Sequence, residues 1–333
     1  MRSRRHRHNR VFALLVGLTL LVLLEAGLHL AGTAPAYDVT RLGAWRFTAN
    51  AKGEAIRGPR DGHSFVVSSN ADGLRTTLPR DRVPETCRVA LLGDSTVFGW
   101  GVDDGQTVAD AAQATLGSRA ELLNAGQPGY TTVMAAALFN EVVAAYKPEV
   151  TVLFVPMHDT NLAWVSDLES QRGGTSFAAS VRIGLARHSR IYALLRRMIT
   201  PDTDAPFVVP VRSATGEPVG DSPRVPRVND AERAEVLAAM RTTAASWGGA
   251  VHVGYLPFAR DVKRDAPPRV LDGWMLQNAG PAGIVDLRAV GYQQVDFVLA
   301  DDEGHLSAKG NQLTGEALAS RLRQIAGSCA AAL

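Results

Sequence analysis

The stretch RVALLGDSTVFGWG, residues 88–101, carries the pattern that decides the fold. Its first half is a short apolar run that ends in Gly-Asp-Ser, which is typical of a buried strand entering a turn. A Ser at a strand-to-helix turn presents its hydroxyl outward, and its N–H lies at a helix N-terminus, where negative charge is stabilised. Taken alone, Gly93-Asp94-Ser95 is equally explained by an ordinary helix cap.

On both sides of this stretch, apolar runs alternate with helical patterns. Further strands are predicted at residues 120–126, 149–156, 250–257 and 283–290, and helices at 108–117, 132–146, 176–199, 229–248 and 307–326. Strands that alternate with helices of this length predict a parallel sheet covered on both faces. We therefore predict a three-layer α/β/α sandwich with a mostly parallel five-stranded sheet.

The N-terminus predicts a membrane segment. Residues 1–10 contain five Arg and no acidic residue, and residues 11–31 are almost entirely apolar. About 20 such residues span the roughly 30 Å core of a bilayer. The basic flank places the N-terminus in the cytoplasm and the rest outside, which predicts a single-pass membrane protein. A signal peptide cleaved near residues 34–36 is the alternative to a retained anchor.

Composition excludes several classes of protein. The formal net charge is +2, and without the basic tail the remainder is slightly acidic. Binding to nucleic acid is therefore not expected. Gly99 and Gly101 lack the further glycine and the acidic residue of a dinucleotide-binding loop. Two cysteines are too few for a zinc site or a disulfide scaffold. No metal or organic cofactor is predicted.

Polar residues cluster where the predicted strands end, which is where ligands gather in parallel sheets. Ser95 follows the first core strand, Gly126 ends the second and residues 156–161 follow the third. Near the C-terminus, Asp302 precedes His305 by three residues. A Ser nucleophile needs a base such as His, and a carboxylate on the other ring nitrogen fixes the tautomer. Each element alone also fits a plain turn.

Taken together, these blocks resemble the SGNH/GDSL hydrolase family over roughly residues 86–326. The segment NADGLR, residues 70–75, is similar to the Asn-x-x-Gly-x-Arg lead-in of a bacterial subgroup that has an N-terminal membrane helix. The resemblance implies a flavodoxin-like fold with Ser95 as nucleophile, His305 as general base and acid, and Asp302 as the orienting carboxylate. It also implies that the backbone N–H groups of Ser95 and Gly126 form two arms of an oxyanion hole.

One block departs from the family pattern. Where the family has Gly-x-Asn-Asp, with the Asn side chain as third oxyanion donor, this chain has Pro156, Met157, His158 and Asp159. An imidazole N–H can replace the amide, so His158 is the predicted substitute, with Asn161 as the alternative. Loss of one donor costs about 10²–10³ in rate.

The resemblance to the bacterial subgroup implies that the membrane is the bacterial cytoplasmic membrane and that the domain faces the periplasm or cell exterior. Together with the predicted membrane segment, it divides the chain into four parts. We predict a basic cytoplasmic tail (1–10), a transmembrane signal anchor (11–31), a lead-in (32–85) with one extended stretch at 64–68, and the hydrolase domain (86–333) with an insertion at about 200–229. In this fold the last helix runs away from the active-site edge and brings Cys329 toward Cys87 at the opposite edge. A disulfide between them is therefore predicted.

The predicted function is that of an exported, membrane-anchored serine esterase or acyl-transfer enzyme. Its substrates would be O-acyl esters of a small molecule, a glycan or a lipid, and its other partner the cytoplasmic membrane through residues 11–31. The competing hypothesis is a non-catalytic envelope protein that binds glycan or supports an assembly on a degenerate SGNH fold, and the altered segment 156–158 motivates it.

Overall fold

The computed structural model describes residues 2–31, 37–39, 45–47, 49–57, 64–163, 165–173, 181, 185, 188–199, 225–257, 272–278, 283–290, 296–299, 302, 304–329 and 333. The strands are β1 (Tyr37–Val39), β2 (Trp45–Phe47), β3 (Glu54–Arg57), β4 (Ser64–Val67), β5 (Cys87–Gly93), β6 (Ala120–Gly126), β7 (Val150–Phe154), β8 (Leu162–Ala163), β9 (Val225–Pro226), β10 (Ala250–Tyr255) and β11 (Val285–Asp286). The helices are α1 (Arg2–Leu30), α2 (Ser95–Phe98), α3 (Val108–Leu116), α4 (Thr132–Glu141), α5 (Asp167–Gly173), α6 (Arg190–Ile199), α7 (Asp230–Ala245), α8 (Asp272–Asn278) and α9 (Ala308–Ile325). Short 3-10 turns cover Val143–Tyr146, Met157–Thr160 and Gly327–Cys329.

Five strands form one parallel sheet in the order β11-β10-β7-β5-β6. Strand β5, which has a neighbouring strand on each side, is buried along its whole length, because helices cover both of its faces. Val89 and Leu91 pack against α3 and α9 on one face, whereas Ala90 and Leu92 pack against α4 and α7 on the other. The predicted three-layer sandwich is confirmed.

The strand order places a crevice at the carboxyl edge of the sheet. β6 and β7 lie on opposite sides of β5. The chain leaves β5 toward α3 on one face of the sheet, and it leaves β7 toward α7 on the other face. Where two neighbouring strands diverge to opposite faces, a crevice opens between their carboxyl ends. The loops that follow β5 and β7 therefore border this crevice.

Several predicted elements end earlier than the sequence pattern suggests. The helix predicted at 132–146 stops at Glu141, and after Val142 the chain continues as a 3-10 turn over Val143–Tyr146. The strand predicted at 283–290 pairs only at Val285–Asp286. The Asp286 carboxylate accepts the N–H of Arg288 at 3.1 Å and turns the chain out of the sheet.

The lead-in contains strands that the sequence pattern does not reveal. β1 pairs with β2 and β3 pairs with β4, so the predicted stretch at 64–68 is one half of a hairpin. The short β8 pairs with β9, which joins the loop after β7 to the residues just before α7. Most of the insertion predicted at about 200–229, namely residues 200–224, lies outside the described residues.

The N-terminal helix α1 is long and apolar enough to cross a membrane. Residues Phe12–Leu30 have a mean hydropathy of 2.1 and are exposed. Near its C-terminal end, the Glu25 carboxylate accepts the backbone N–H groups of Arg190 (2.5 Å) and Ile191 (3.1 Å) at the start of α6. Much of the helix predicted at 176–199 lies outside the described residues, and α6 is its described end.

A disulfide closes the domain at the edge opposite the crevice. Cys87 begins β5, Cys329 ends the last 3-10 turn, and their Cα atoms are 5.5 Å apart across a sequence separation of 242. Both cysteines are buried beneath α3 and α9. A crosslink over so long a loop removes a large amount of chain entropy from the unfolded state.

Replacing both cysteines, Cys87→Ala/Cys329→Ala, should lower the free energy of unfolding by about 3–5 kcal/mol. Urea unfolding followed by circular dichroism measures the change. The control is wild-type protein unfolded with and without reductant, alkylated and weighed as intact protein, because the difference in mass counts the thiols that reduction releases. An unchanged urea midpoint in the double variant would show that the crosslink contributes nothing to stability.

Candidate active site

Ser95 lies at a sharp turn between β5 and the short helix α2. Asp94 is the N-cap of this helix, and its Oδ1 accepts the N–H of Thr96 at 3.0 Å. At Gly93 a Cβ atom would come within 2.5 Å of Val97 Cγ2, so the helix can start this close to the strand only with glycine. Ser95 is the first residue of α2, and its N–H therefore faces outward at a helix N-terminus.

His305 approaches Ser95 from a loop just before α9. Its backbone carbonyl accepts the N–H of Leu299 at 3.1 Å, which fixes the loop. The ring Nε2 lies 2.8 Å from Ser95 Oγ, and Nδ1 lies 2.7 Å from Asp302 Oδ2. Since an ionised carboxylate has no proton to donate, Nδ1 carries the hydrogen. Nε2 then has a free lone pair and accepts the hydrogen bond of the Ser95 hydroxyl.

Asp302 is held as a charged group. Its Oδ1 accepts the backbone N–H groups of Gly304 (2.7 Å) and His305 (3.1 Å), while Oδ2 accepts from the imidazole. Partial burial of Asp302 acts to raise its pKa, but the bonds from His305 and Gly304 outweigh burial and hold the pKa well below the usual range of a carboxyl. The carboxylate is therefore charged at neutral pH.

Gly126 occupies the predicted position at the end of β6, but its N–H already has a partner. It donates to Asn124 Oδ1 at 3.1 Å, and Asn124 Nδ2 in turn donates to the carbonyl of Phe98 at 3.4 Å. A Cβ atom at Gly126 would lie 2.3 Å from the backbone nitrogen of Phe98. A glycine is therefore required at this position because α2 packs directly against the end of β6. A role as oxyanion donor would require this N–H to release Asn124.

Gly129, which the sequence reasoning did not select, lies three residues further along the same loop. Residues 127–130 form a turn in which Gln127 O accepts the N–H of Tyr130, with Pro128 and Gly129 at its centre. Gly129 has a φ of 75°, as the second central residue of a Pro-Gly turn requires. Its N–H has no partner among the described residues. The Pro-Gly pair was the sequence signal for this turn.

His158 lies in the 3-10 turn after β7, on the other side of the crevice. Asn161 Nδ2 lies 3.3 Å from His158 Nδ1, and because an amide nitrogen only donates, Nδ1 is the acceptor and Nε2 carries the hydrogen. Burial lowers the pKa of His158; Asp94 acts to raise it, while the charges of Arg227 and His305 lower it further. The ring is therefore a neutral N–H donor, and the exposed Asn161 orients it.

Asp159, next to His158, fixes the position of this turn. The side chain is fully buried and accepts the N–H of Thr132 at 2.8 Å, the Thr132 hydroxyl at 2.7 Å and Arg233 Nε at 2.8 Å. Burial raises the pKa of Asp159 to about 6, although the bonds from Thr132 and Arg233 lower it. The carboxylate joins the loop after β7 to the start of α4 and to α7.

The lead-in segment supports the Ser95 helix from behind. The buried Arg75 donates from Nη1 to the carbonyls of Phe98 (3.1 Å) and Gly99 (2.7 Å), and from Nη2 to that of Val102 (2.7 Å). Asn70 Oδ1 accepts the N–H groups of residues 72 and 74, which shapes the loop that delivers Arg75. The motif at 70–75 therefore satisfies carbonyl groups at the C-terminal end of α2.

Trp100 lies beside the catalytic candidates. Its ring centroid is 6.4 Å from that of His305 and 5.2 Å from that of Phe65 in β4. The β3–β4 hairpin thus reaches one wall of the crevice through an aromatic contact.

Among the described residues, one group has the spacing of metal ligands, namely Cys87, Glu149 and Cys329. Both of its cysteines are in the disulfide, which leaves a single carboxylate and excludes this group as a metal site.

Comparison with known proteins gives one family. Residues 91–313 match the GDSL-like Lipase/Acylhydrolase family. This segment covers both Ser95 and His305 and about two thirds of the chain. No curated protein matches the chain.

Solved structures with a similar chain trace include a lipase/acylhydrolase from Enterococcus faecalis, with 18% identity and a TM-score of 0.39 over 72% of this chain and 96% of that one. The acetylxylan esterase Axe2 from Geobacillus stearothermophilus, a catalytic mutant, has 14% identity and a TM-score of 0.41 over 74% and 96%. The esterase EstA from Pseudoalteromonas sp. has 10% identity and a TM-score of 0.42 over 72% and 97%.

Proposed function

Because the chain belongs to the GDSL-like lipase/acylhydrolase family, we propose that it is a serine esterase with Ser95 as nucleophile, His305 as general base and acid, and Asp302 as the carboxylate that orients the imidazole. The observation that carries the proposal is the continuous chain of hydrogen bonds from Ser95 Oγ through both ring nitrogens of His305 to Asp302. A hydroxyl, a base and an orienting carboxylate in this order form an activated nucleophile.

The proposed reaction has two steps. Ser95 Oγ attacks the ester carbonyl carbon as its proton moves to His305 Nε2, and the tetrahedral intermediate collapses when the leaving alcohol takes that proton. Water then gives a proton to Nε2 and attacks the acyl-enzyme. Ser95 Oγ leaves and recovers the proton, and the carboxylic acid is released. Asp302 stabilises the imidazolium that forms in each step.

The oxyanion that develops in both steps needs donors on the side of the carbonyl away from His305. We assign this role to the backbone N–H of Ser95, which lies at the α2 N-terminus, and to Nε2–H of His158. The third donor is the N–H of Gly129, which has no partner in the part of the chain that the structure describes. The neutral tautomer that Asn161 fixes supports the assignment of His158. Donors held in position by the fold stabilise developing charge without reorganisation.

The test of the esterase proposal is labelling of the full chain in detergent with a fluorophosphonate, together with hydrolysis of 4-nitrophenyl acetate and butyrate. Labelling of the serine and release of 4-nitrophenol are expected. Folded protein that neither reacts with the probe nor hydrolyses either ester would support the alternative of a non-catalytic binding protein.

The substitution His158→Ala should lower kcat by about 10²-fold with little change in KM, because an oxyanion donor acts mainly in the transition state. The matched variant His158→Asn, which restores the residue type of the family, should recover most of the rate. Steady-state kinetics on 4-nitrophenyl acetate measures both. If His158→Ala turns over as fast as wild type, the imidazole is not a donor.

The proposed substrates are O-acyl esters of a carbohydrate or a lipid, since the family covers lipases and acylhydrolases. Ester hydrolysis and acyl transfer share the acyl-enzyme and differ only in the acceptor. Turnover in the presence of glycerol separates the two, because a transferase forms acyl-glycerol whereas a hydrolase releases free acid in constant yield.

We further propose that α1 remains attached as a membrane anchor and holds the domain outside the cytoplasmic membrane. The contacts of Glu25 with Ser189, Arg190 and Ile191 support retention, because cleavage after α1 would remove partners of α6. Intact mass of the protein from membranes checks for the anchor, and protease treatment of spheroplasts checks the orientation. A mature protein that starts after residue 36 would exclude the anchor.

A further inference from the structure

An arginine outside the proposed catalytic set lies at the same edge of the sheet. Arg227 directly follows β9, and its backbone N–H donates to the carbonyl of Asn161 at 2.7 Å. The short β8–β9 pairing thus brings Arg227 from the end of the predicted insertion to the loop that carries His158. The residue is only 8% exposed, and an arginine is buried to this extent when its charge is paired.

The guanidinium is held firmly but is not fully used. Its Nε lies 3.1 Å from Asp167 Oδ1 and its Nη2 lies 2.9 Å from Asp167 Oδ2, with Met134 Sδ at 3.5 Å from Nη2. Nη1 has no partner among the described residues. A guanidinium carries five N–H groups, and the two on Nη1 have no acceptor among the described residues although the side chain is largely buried.

The neighbours of this ion pair locate it next to the reaction centre. Asp167 Oδ2 also accepts the hydroxyl of Thr131, which follows the turn that carries Gly129. Asn161, which binds the Arg227 backbone, binds the His158 ring through its side chain. After burial, the charges of Arg227 and of His305 both lower the pKa of His158, so the electrostatic field of Arg227 acts on the same imidazole as that of His305.

The chemistry of the pair indicates what it binds. Asp167 neutralises the charge of Arg227, so the site is not a strong anion trap. Because the carboxylate of Asp167 pairs with Nε and Nη2, Nη1 lies on the far side of the guanidinium and offers two N–H donors away from that carboxylate. Such donors fit oxygen atoms that accept hydrogen bonds, as the hydroxyl and ether oxygens of a carbohydrate do. An alkyl chain in the same place would leave the donors buried without a partner.

We propose that Arg227 is a specificity-determining residue that donates from Nη1 to an oxygen of the substrate outside the ester group, and thereby selects oxygen-rich substrates over alkyl ones. This inference rests on the proposed esterase function. Of the two proposed substrate classes, esters of carbohydrates and esters of lipids, it assigns the carbohydrate esters to this chain. Sites built to bind a hydroxyl reject the analogue that lacks it far more strongly than apolar pockets reject an added methylene.

Matched esters test the proposal with the full chain in detergent. On the alcohol side, methyl 6-O-acetyl-α-D-glucopyranoside is compared with oxan-2-ylmethyl acetate, the same ring without hydroxyls. On the acyl side, 4-nitrophenyl methoxyacetate is compared with 4-nitrophenyl butyrate. The quantity measured is the ratio of kcat/KM within each pair. Wild type should favour the oxygen-bearing member of at least one pair, and Arg227→Met should reduce that ratio about tenfold or more.

Hydrolysis of the oxygen-poor ester is the internal control. Loss of folding or of the catalytic residues would lower kcat/KM equally for both esters of a pair. The double variant Arg227→Met/Asp167→Asn removes the carboxylate that the single variant leaves unpaired. We expect it to reduce the ratio of kcat/KM within a pair by the same factor as Arg227→Met. Equal ratios in wild type and both variants, for both pairs, would overturn the proposal.

A binding measurement separates this inference from the proposed function. Titration of Ser95→Ala protein with methyl α-D-glucopyranoside, followed by ligand-observed NMR, should give saturable binding that Ser95→Ala/Arg227→Met lacks. Saturable binding that depends on Arg227 would support its role in substrate recognition even if no ester is hydrolysed. Failure of all four esters in wild type would overturn the esterase function, and failure of sugar binding together with unchanged ratios would overturn the role of Arg227.

Discussion

Replacement of Ser95 by Ala should lower kcat for ester hydrolysis by about 10⁴-fold or more and abolish fluorophosphonate labelling. The reason is that the methyl group of Ala has no oxygen to form the acyl-enzyme, and His305 Nε2 loses the hydroxyl 2.8 Å away that it would deprotonate. Any residual rate would come from water activated by His305 next to the remaining oxyanion donors. Burst kinetics and labelling measure the loss directly.

The matched control is Ser170→Ala, which removes an exposed serine hydroxyl from α5 and should leave both activity and labelling unchanged. His305→Ala should reproduce the loss caused by Ser95→Ala without a further decrease in the double variant, because the two residues act as one unit. A Ser95→Ala protein that keeps a tenth of the wild-type rate, or a label that maps to another residue, would rule Ser95 out as nucleophile.

The sequence was sufficient for the layers of the fold and for the pairing of Ser95 with His305. Both depend on local patterns, namely mostly apolar strands such as β5 and polar residues directly after them. A parallel sheet brings the carboxyl ends of its strands to one edge, so residues 210 apart in sequence could be expected to meet. The family resemblance supplied the roles that these patterns alone left open.

What the sequence did not reveal depends on contacts between distant segments. The hydrogen bond from the Gly126 N–H to Asn124 depends on the rotamer of Asn124. The hydrogen bonds from Arg75 to the carbonyl groups at the end of α2 depend on the path of the lead-in. No periodicity encodes either. Arg227 looked like a residue of an irregular insertion, because a two-residue strand such as β9 is too short to leave a pattern.

The substitution Asp302→Asn should lower kcat by about 10⁴-fold while KM changes little. An Asn amide at this position donates to His305 Nδ1, which moves the ring hydrogen to Nε2. The ring then cannot accept the proton of Ser95, although every atom remains near its place. Steady-state kinetics on 4-nitrophenyl acetate gives the loss, and the melting temperature shows whether the variant is folded.

The comparison of Asp302→Asn with Asp302→Ala distinguishes a tautomer effect from a loss of charge. Ala leaves Nδ1 to solvent, so the productive tautomer is populated part of the time, and we expect this variant to be faster than Asn. Because the pKa of Asp302 lies well below its usual range, its charge stabilises the folded state at neutral pH, and that contribution fades as the pH falls below about 4. The difference in melting temperature between wild type and Asp302→Asn should shrink over the same pH range. Equal rates for Asn and Ala would mean that Asp302 acts only through its charge and does not select the tautomer.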